Sequence, residues 1–104
     1  MAVDNETIRI ITEYVNDVKN AMQIDRVFLF GSYAKKTETW QSDIDLCFFS
    51  EEFETLSSVD IMTRLFRMTR KYKGFDIEPC GFPTSEIDND NPFVKEILRT
   101  GQEL

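Results

Sequence analysis

Residues 26–32 read Arg26-Val27-Phe28-Leu29-Phe30-Gly31-Ser32, and residues 42–49 read Ser42-Asp43-Ile44-Asp45-Leu46-Cys47-Phe48-Phe49. The first stretch is a short apolar run closed by a glycine, which predicts a buried strand ending in a turn. The second opens with two acids separated by one apolar residue. On a strand that spacing puts both carboxylates on one face and turns Ile44 and Leu46 the other way, into a core. Ten residues lie between Ser32 and Asp43.

Helical patterns flank these two strands. From about Asn5 to Met22, the residues Ile8, Ile11, Val15, Val18 and Met22 recur at helical spacing, with Asp4 or Asn5 as a cap. Ser32 to about Lys36 fits a short helix, and Thr37 to Ser42 a polar loop. After the second strand, Ser57-Ser58-Val59-Asp60 has the form of a helix start. Ile61, Met62, Leu65, Phe66, Thr69 and Tyr72 follow as an apolar stripe, with Gly74 as the stop. Phe75 to Phe82 predicts a third strand, ended by Pro83. Asn91-Pro92 then predicts the start of a tail helix packed through Phe93, Ile97 and Leu98, with Gly101 ending it. The alternation argues for an α/β (α+β) fold, a small mixed sheet with flanking helices. Three strands leave room for a further short strand or for a homo-oligomer. No linker, repeat or composition shift divides residues 1–104, so one domain is expected.

Composition removes several chemistries. Histidine is absent, which excludes Ser-His-Asp and Cys-His catalysis. The two cysteines, Cys47 and Cys80, lie in apolar stretches without a CxxC pair and read as buried free thiols. Zinc is therefore disfavoured, and any metal is expected to be a hard cation on oxygen ligands. No apolar run has the length of a membrane span. The opening Met1-Ala2-Val3-Asp4 lacks the form of a signal peptide, so a cytoplasmic location is expected. A formal charge of −7 opposes binding to long nucleic acid.

Four of the acids form a chemical pattern. Asp43 and Asp45 share a strand face, and Asp76 and Glu78 repeat the spacing on the next predicted strand. Carboxylates that close repel one another unless a cation lies between them. Magnesium suits such a pair, because it binds one or two carboxylates and completes its shell with water and phosphate oxygens. Either Asp76 or Glu78 could supply a third carboxylate for a second magnesium, or accept a proton. Gly31 leaves space for a close ligand. Ser32, at a helix start, offers backbone N–H groups and a hydroxyl to a phosphate.

Phe30-Gly31-Ser32, the ten-residue interval and Asp43-Ile44-Asp45 together resemble the GS-x10-DxD signature of the DNA polymerase beta-like nucleotidyltransferases, and the short chain resembles their minimal branch. The tail Asn91-Pro92-Phe93-Val94-Lys95-Glu96-Ile97 is similar to that of small bacterial members. The resemblance implies the palm-like nucleotidyltransferase fold. It also implies magnesium-dependent transfer of a nucleoside monophosphate, with AMP from ATP the leading case, to a hydroxyl acceptor. Carried over by position, Gly31, Ser32 and Lys35 bind the nucleotide, while Asp43 and Asp45 hold metal. Asp76 is the favoured third carboxylate and Glu78 the alternative. Lys36 stands where many relatives carry glycine.

The resemblance further implies a separate helical HEPN-type partner, as in toxin–antitoxin pairs. The alternative is a non-catalytic nucleotide-binding module that neutralises its partner by contact. Arg64, Arg67 and Lys71 read as a solvent face or a patch for an acidic partner, and Trp40 as a loop-packing ring or a stacking surface.

Overall fold

The computed structural model describes residues 5–31 and 43–104. The short helix from Ser32 to Lys36, the loop from Thr37 to Ser42, and the roles given to Ser32, Lys35, Lys36 and Trp40 lie outside those residues. The described elements are α1 (Asn5–Ala21), β1 (Arg26–Phe30), β2 (Ile44–Ser50), α2 (Ser58–Arg67), β3 (Ile77–Pro83), α3 (Pro92–Thr100) and β4 (Gln102–Glu103). The four strands form one mixed sheet in the order β3-β2-β1-β4. β1 runs antiparallel to β2 and to β4, whereas β2 and β3 are parallel. The further short strand is thus β4, and it occupies an edge.

Alternation along the strands splits the core in two. Val27, Leu29, Ile44, Leu46, Phe48 and Ile77 face one side, where α1 and α2 cover them. Phe28, Cys47 and Phe49 face the other side, under Val94 and Ile97 of α3. The period-two rule therefore assigns Asp45 to the α3 side.

α1 buries Thr7, Ile10, Ile11, Tyr14, Val15 and Val18. The expected stripe is displaced at its start, because Ile8 is 49% exposed while Ile10 and Tyr14 are buried. The Tyr14 hydroxyl donates to the Leu65 carbonyl at 2.8 Å, so its polar end is satisfied inside the core. In α2, Ser57 caps the first turn by accepting the Asp60 N–H at 3.1 Å. Ile61 and Leu65 pack inward, but Phe66, expected in the stripe, points outward. The helix also ends earlier than the stripe predicts. It tightens into a 3₁₀ turn at Met68–Lys71, which brings Tyr72 inward to donate to Asp17 of α1.

β3 begins two residues later than expected, at Ile77, so Phe75 and Asp76 precede it. α2 sits tightly on this strand. A Cβ at Gly81 would lie 2.6 Å from Ile61 Cγ2 and 2.8 Å from Phe53 Cε2. A methyl group there would cost about 1–3 kcal/mol through overpacking. Cys80 is half-buried rather than buried, and it lies opposite Cys47 in the parallel register. At the other end of the fold, Asn91 caps α3 by accepting the N–H groups of Phe93 and Val94 at 3.0 and 3.3 Å. Arg26 clasps Glu103 through two hydrogen bonds of 2.9 and 2.8 Å, which fixes β4 to β1.

Asp25 joins three segments. Its N–H donates to Phe49 O at 2.7 Å. Its carboxylate accepts the Glu51 N–H at 2.9 Å and the Thr84 hydroxyl at 2.6 Å. The Thr84 hydroxyl is the main reason that this carboxyl titrates below its ordinary value of 3.8. A carboxylate whose folded pKa is depressed stabilises the fold fully above its unfolded value, and that contribution disappears as pH falls through the folded value. Asp25→Asn should therefore lower stability at neutral pH, by less than about 1 kcal/mol given its exposure. The deficit should begin to shrink as pH falls below the ordinary value of 3.8 and disappear only as it passes the lower folded value. Urea denaturation of both proteins at neutral and acid pH measures this.

Candidate functional site

The acids gather because β2 and β3 start at the same end of the sheet. The register pairs Ile44 with Ile77 and Asp45 with Glu78. One residue earlier, the Ile44 N–H donates to the Asp76 carbonyl at 2.8 Å, which continues the ladder outward and brings Asp76 beside Asp43. Asp43, Asp45, Asp76 and Glu78 thus occupy neighbouring positions at one end of the pair. Among the described residues, Asp43, Asp76 and Glu78 each offer a carboxylate oxygen within 4.8 Å of the others. Asp45 stands beside this trio and is less exposed than Asp43 or Asp76.

The electrostatics follow from the crowding. The Asp43 carboxyl is raised above its ordinary value, first by a hydrogen bond with Asp76 and also by the Asp76 charge. Two carboxylates this close repel one another unless a proton or a cation offsets the charge. The Asp45 carboxyl is raised by burial first, then by the charges of Asp43 and Asp76. An all-carboxylate donor set this close fits a hard divalent cation. Asp43, Asp76 and Glu78 are the residues whose oxygens converge enough to hold one, with Asp45 adjacent.

Gly31 explains why Asp45 is free to stand where it does. Gly31 has φ +72°, a backbone conformation that disfavours side chains. A Cβ placed on it would lie 2.3 Å from Asp45 Oδ2. Any other residue at position 31 would push the carboxylate away, strain the turn, or both. The glycine is therefore needed for Asp45 itself, a link that only the β1–β2 register reveals.

Sequence reasoning brought Gly31, Asp43, Asp45, Asp76 and Glu78 to one place, and the fold does so too. It names Phe30 in the motif and Cys47 as a buried thiol without placing either beside the acids. Phe30 lies directly opposite Asp45 on β1. The Cys47 thiol is held up from its ordinary pKa by a hydrogen bond with Cys80 and by burial, which makes it a poor nucleophile. Strand alternation alone would have placed both on the acidic face.

Three comparisons with known proteins bear on this arrangement. A family model described as polymerase beta nucleotidyltransferase matches residues 11–104. A provisionally assigned protein adenylyltransferase of Methanocaldococcus jannaschii is 40% identical over 53 residues, which are 49% of this chain and 54% of that protein. The match thus spans about half the length of that relative. The crystal structure of a provisionally assigned nucleotidyltransferase of Sulfolobus solfataricus superposes with a TM-score of 0.71, covering 91% of this chain and 76% of the other. At 20% identity that superposition speaks for the fold alone.

The acidic cluster should act on stability in two opposite ways. Without divalent cations, Asp43→Asn should raise the melting temperature by relieving repulsion. With millimolar magnesium, the unaltered protein should gain on the order of a few degrees, and the variant should gain little or nothing. Thermal scans with and without magnesium check both signs.

Proposed function

Because the chain belongs to the polymerase beta nucleotidyltransferase family, we propose that it transfers a nucleoside monophosphate, AMP from ATP in the leading case, to a hydroxyl on a separate protein. The observation that carries this reading is the four-carboxylate row beside Gly31. Asp43, Asp76 and Glu78 of that row converge within 4.8 Å, an oxygen donor set that suits magnesium, and Gly31 leaves space without a side chain beside Asp45.

Asp43, Asp45 and Asp76 would hold magnesium, with Glu78 as the neighbouring alternative to Asp76. Bound magnesium would offset the triphosphate charge and ease deprotonation of the acceptor hydroxyl. In the transfer, the acceptor oxygen bonds to the α-phosphorus of the nucleotide. The bond from that phosphorus to the departing pyrophosphate breaks, and the hydroxyl proton passes to a carboxylate of the row, Asp76 or Glu78. The missing side chain of Gly31 keeps the space at the Asp45 carboxylate clear. Ser32 and Lys35 complete the nucleotide contacts in this reading, at the triphosphate.

A protein acceptor fits the net charge of −7, which repels a phosphate backbone. The printed name of the M. jannaschii relative, a protein adenylyltransferase, points the same way. A helical HEPN-type partner, with this chain as its antitoxin, is the specific form of the proposal.

Incubation with labelled ATP, magnesium and the product of the neighbouring gene tests it. The expected outcome is one or more added nucleotides on the neighbour by mass spectrometry. Asp43→Ala or Asp45→Ala should reduce transfer on the order of a hundredfold or more. Undiminished transfer by the double variant would contradict the assignment of the row. Complex formation without modification under every NTP would favour a binding module.

A further inference from the structure

The carboxylate row adjoins an aromatic surface that the transfer chemistry does not use. Phe30 ends β1 directly opposite Asp45, so the ring and the carboxylate leave the same sheet face side by side. Facing Cα atoms in an antiparallel pair lie about 4.5–5.5 Å apart. Phe93, from the first turn of α3, meets Phe30 edge-to-face with centroids 5.8 Å apart and planes at 86°. It also meets Phe82 of β3 at 5.8 Å and 52°. Three rings from three elements thus form one wall, whose near end, Phe30, stands opposite Asp45 in the strand register.

Phe93 stands out within that wall. Its helix is firmly seated, since Val94 and Ile97 are fully buried, yet Phe93 itself remains 49% exposed. Two ring contacts fix its orientation, which leaves a rigid aromatic surface in water. An apolar wall beside a few convergent polar groups is the usual make-up of a small-molecule site. Among the described residues, Phe75 is also partly exposed near the row, but it packs into the cluster on the opposite face of the sheet.

We propose that Phe93, braced by Phe30 and Phe82, is the stacking surface for the base of the bound nucleotide. The inference rests on the reading of the carboxylate row as an NTP site. With the triphosphate held at the row, the base must extend away from it, because a neutral base gains nothing from four carboxylates. The aromatic wall is the apolar continuation of the row on the same face. Stacking accepts any base, so this surface supplies affinity for the nucleoside and leaves the choice of base to other contacts.

The test compares two probes, ATP with magnesium and inorganic tripolyphosphate with magnesium, by calorimetric titration of the full chain. Phe93→Leu keeps an apolar side chain against Phe30 and Phe82 but removes the ring face. It should weaken ATP binding on the order of tenfold and leave tripolyphosphate unchanged. Phe93→Trp should retain ATP affinity. Equal ATP affinity in Phe93→Leu and the unaltered chain overturns the inference, and so does an equal loss for both probes, which would mark a structural role. An unaltered chain that binds neither probe overturns the NTP site itself along with this inference.

Discussion

Parallel strands cannot be joined by a tight turn, and α2 is the crossover that lets β2 and β3 lie side by side in the same direction. Their pairing is what the rest of the molecule depends on. It sets both strand openings at one end of the sheet, so that Asp43 and Asp45 meet Asp76 and Glu78. The hydrogen bond from the Ile44 N–H to the Asp76 carbonyl extends the ladder by one step and draws Asp76 into the group. A shift of one residue in this register would turn Asp45 and Glu78 to opposite faces and scatter the cluster. Gly81 supports the register from beneath, since its missing side chain lets Ile61, Leu65 and Phe53 close on β3.

The two faces of the sheet divide the work. One lies under α1 and α2, where Tyr14 ties α1 to the end of α2. The other is covered only in part by α3, and the carboxylates stand beyond that cover. Like charges at the uncovered end oppose folding until a proton or a cation offsets them. Buried apolar residues on both faces supply the opposing stabilisation. The acidity of the chain also looks different once the row is set aside. Without those four groups the formal charge of −7 becomes −3, an ordinary value for a small domain.

Much of this was legible in the sequence. The apolar run Val27–Phe30, the alternation from Asp43 to Leu46 and the Asn91-Pro92 cap each encode a local decision, and local decisions survive into the fold. What failed was whatever depends on a neighbour distant in sequence. Ile8 and Phe66 carry the right periodicity, but the helices turn neighbouring stripes inward, Thr7, Ile10 and Tyr14 in α1 and Ile61 and Leu65 in α2, so they stay in water. The sequence pattern extends the third strand over Asp76, which lies just before β3 because the ladder needs only its carbonyl. β4 is two residues long and held by Glu103 pairing with Arg26 across 77 positions, which no local pattern announces. The adjacency of Gly31 and Asp45 is likewise a product of register. Nothing in Gly31-Ser32 itself says that a carboxylate fills the space left by the missing side chain.

The proposed transfer requires this row of carboxylates to be a divalent-cation site. Manganese binding followed by electron paramagnetic resonance tests that claim most directly, because it requires neither an acceptor nor turnover. The account predicts that the full chain quenches the free-manganese signal saturably, that magnesium competes, and that Asp43→Asn with Asp76→Asn abolishes the effect. A signal unchanged by the unaltered protein, or quenched equally by the double variant, would contradict it.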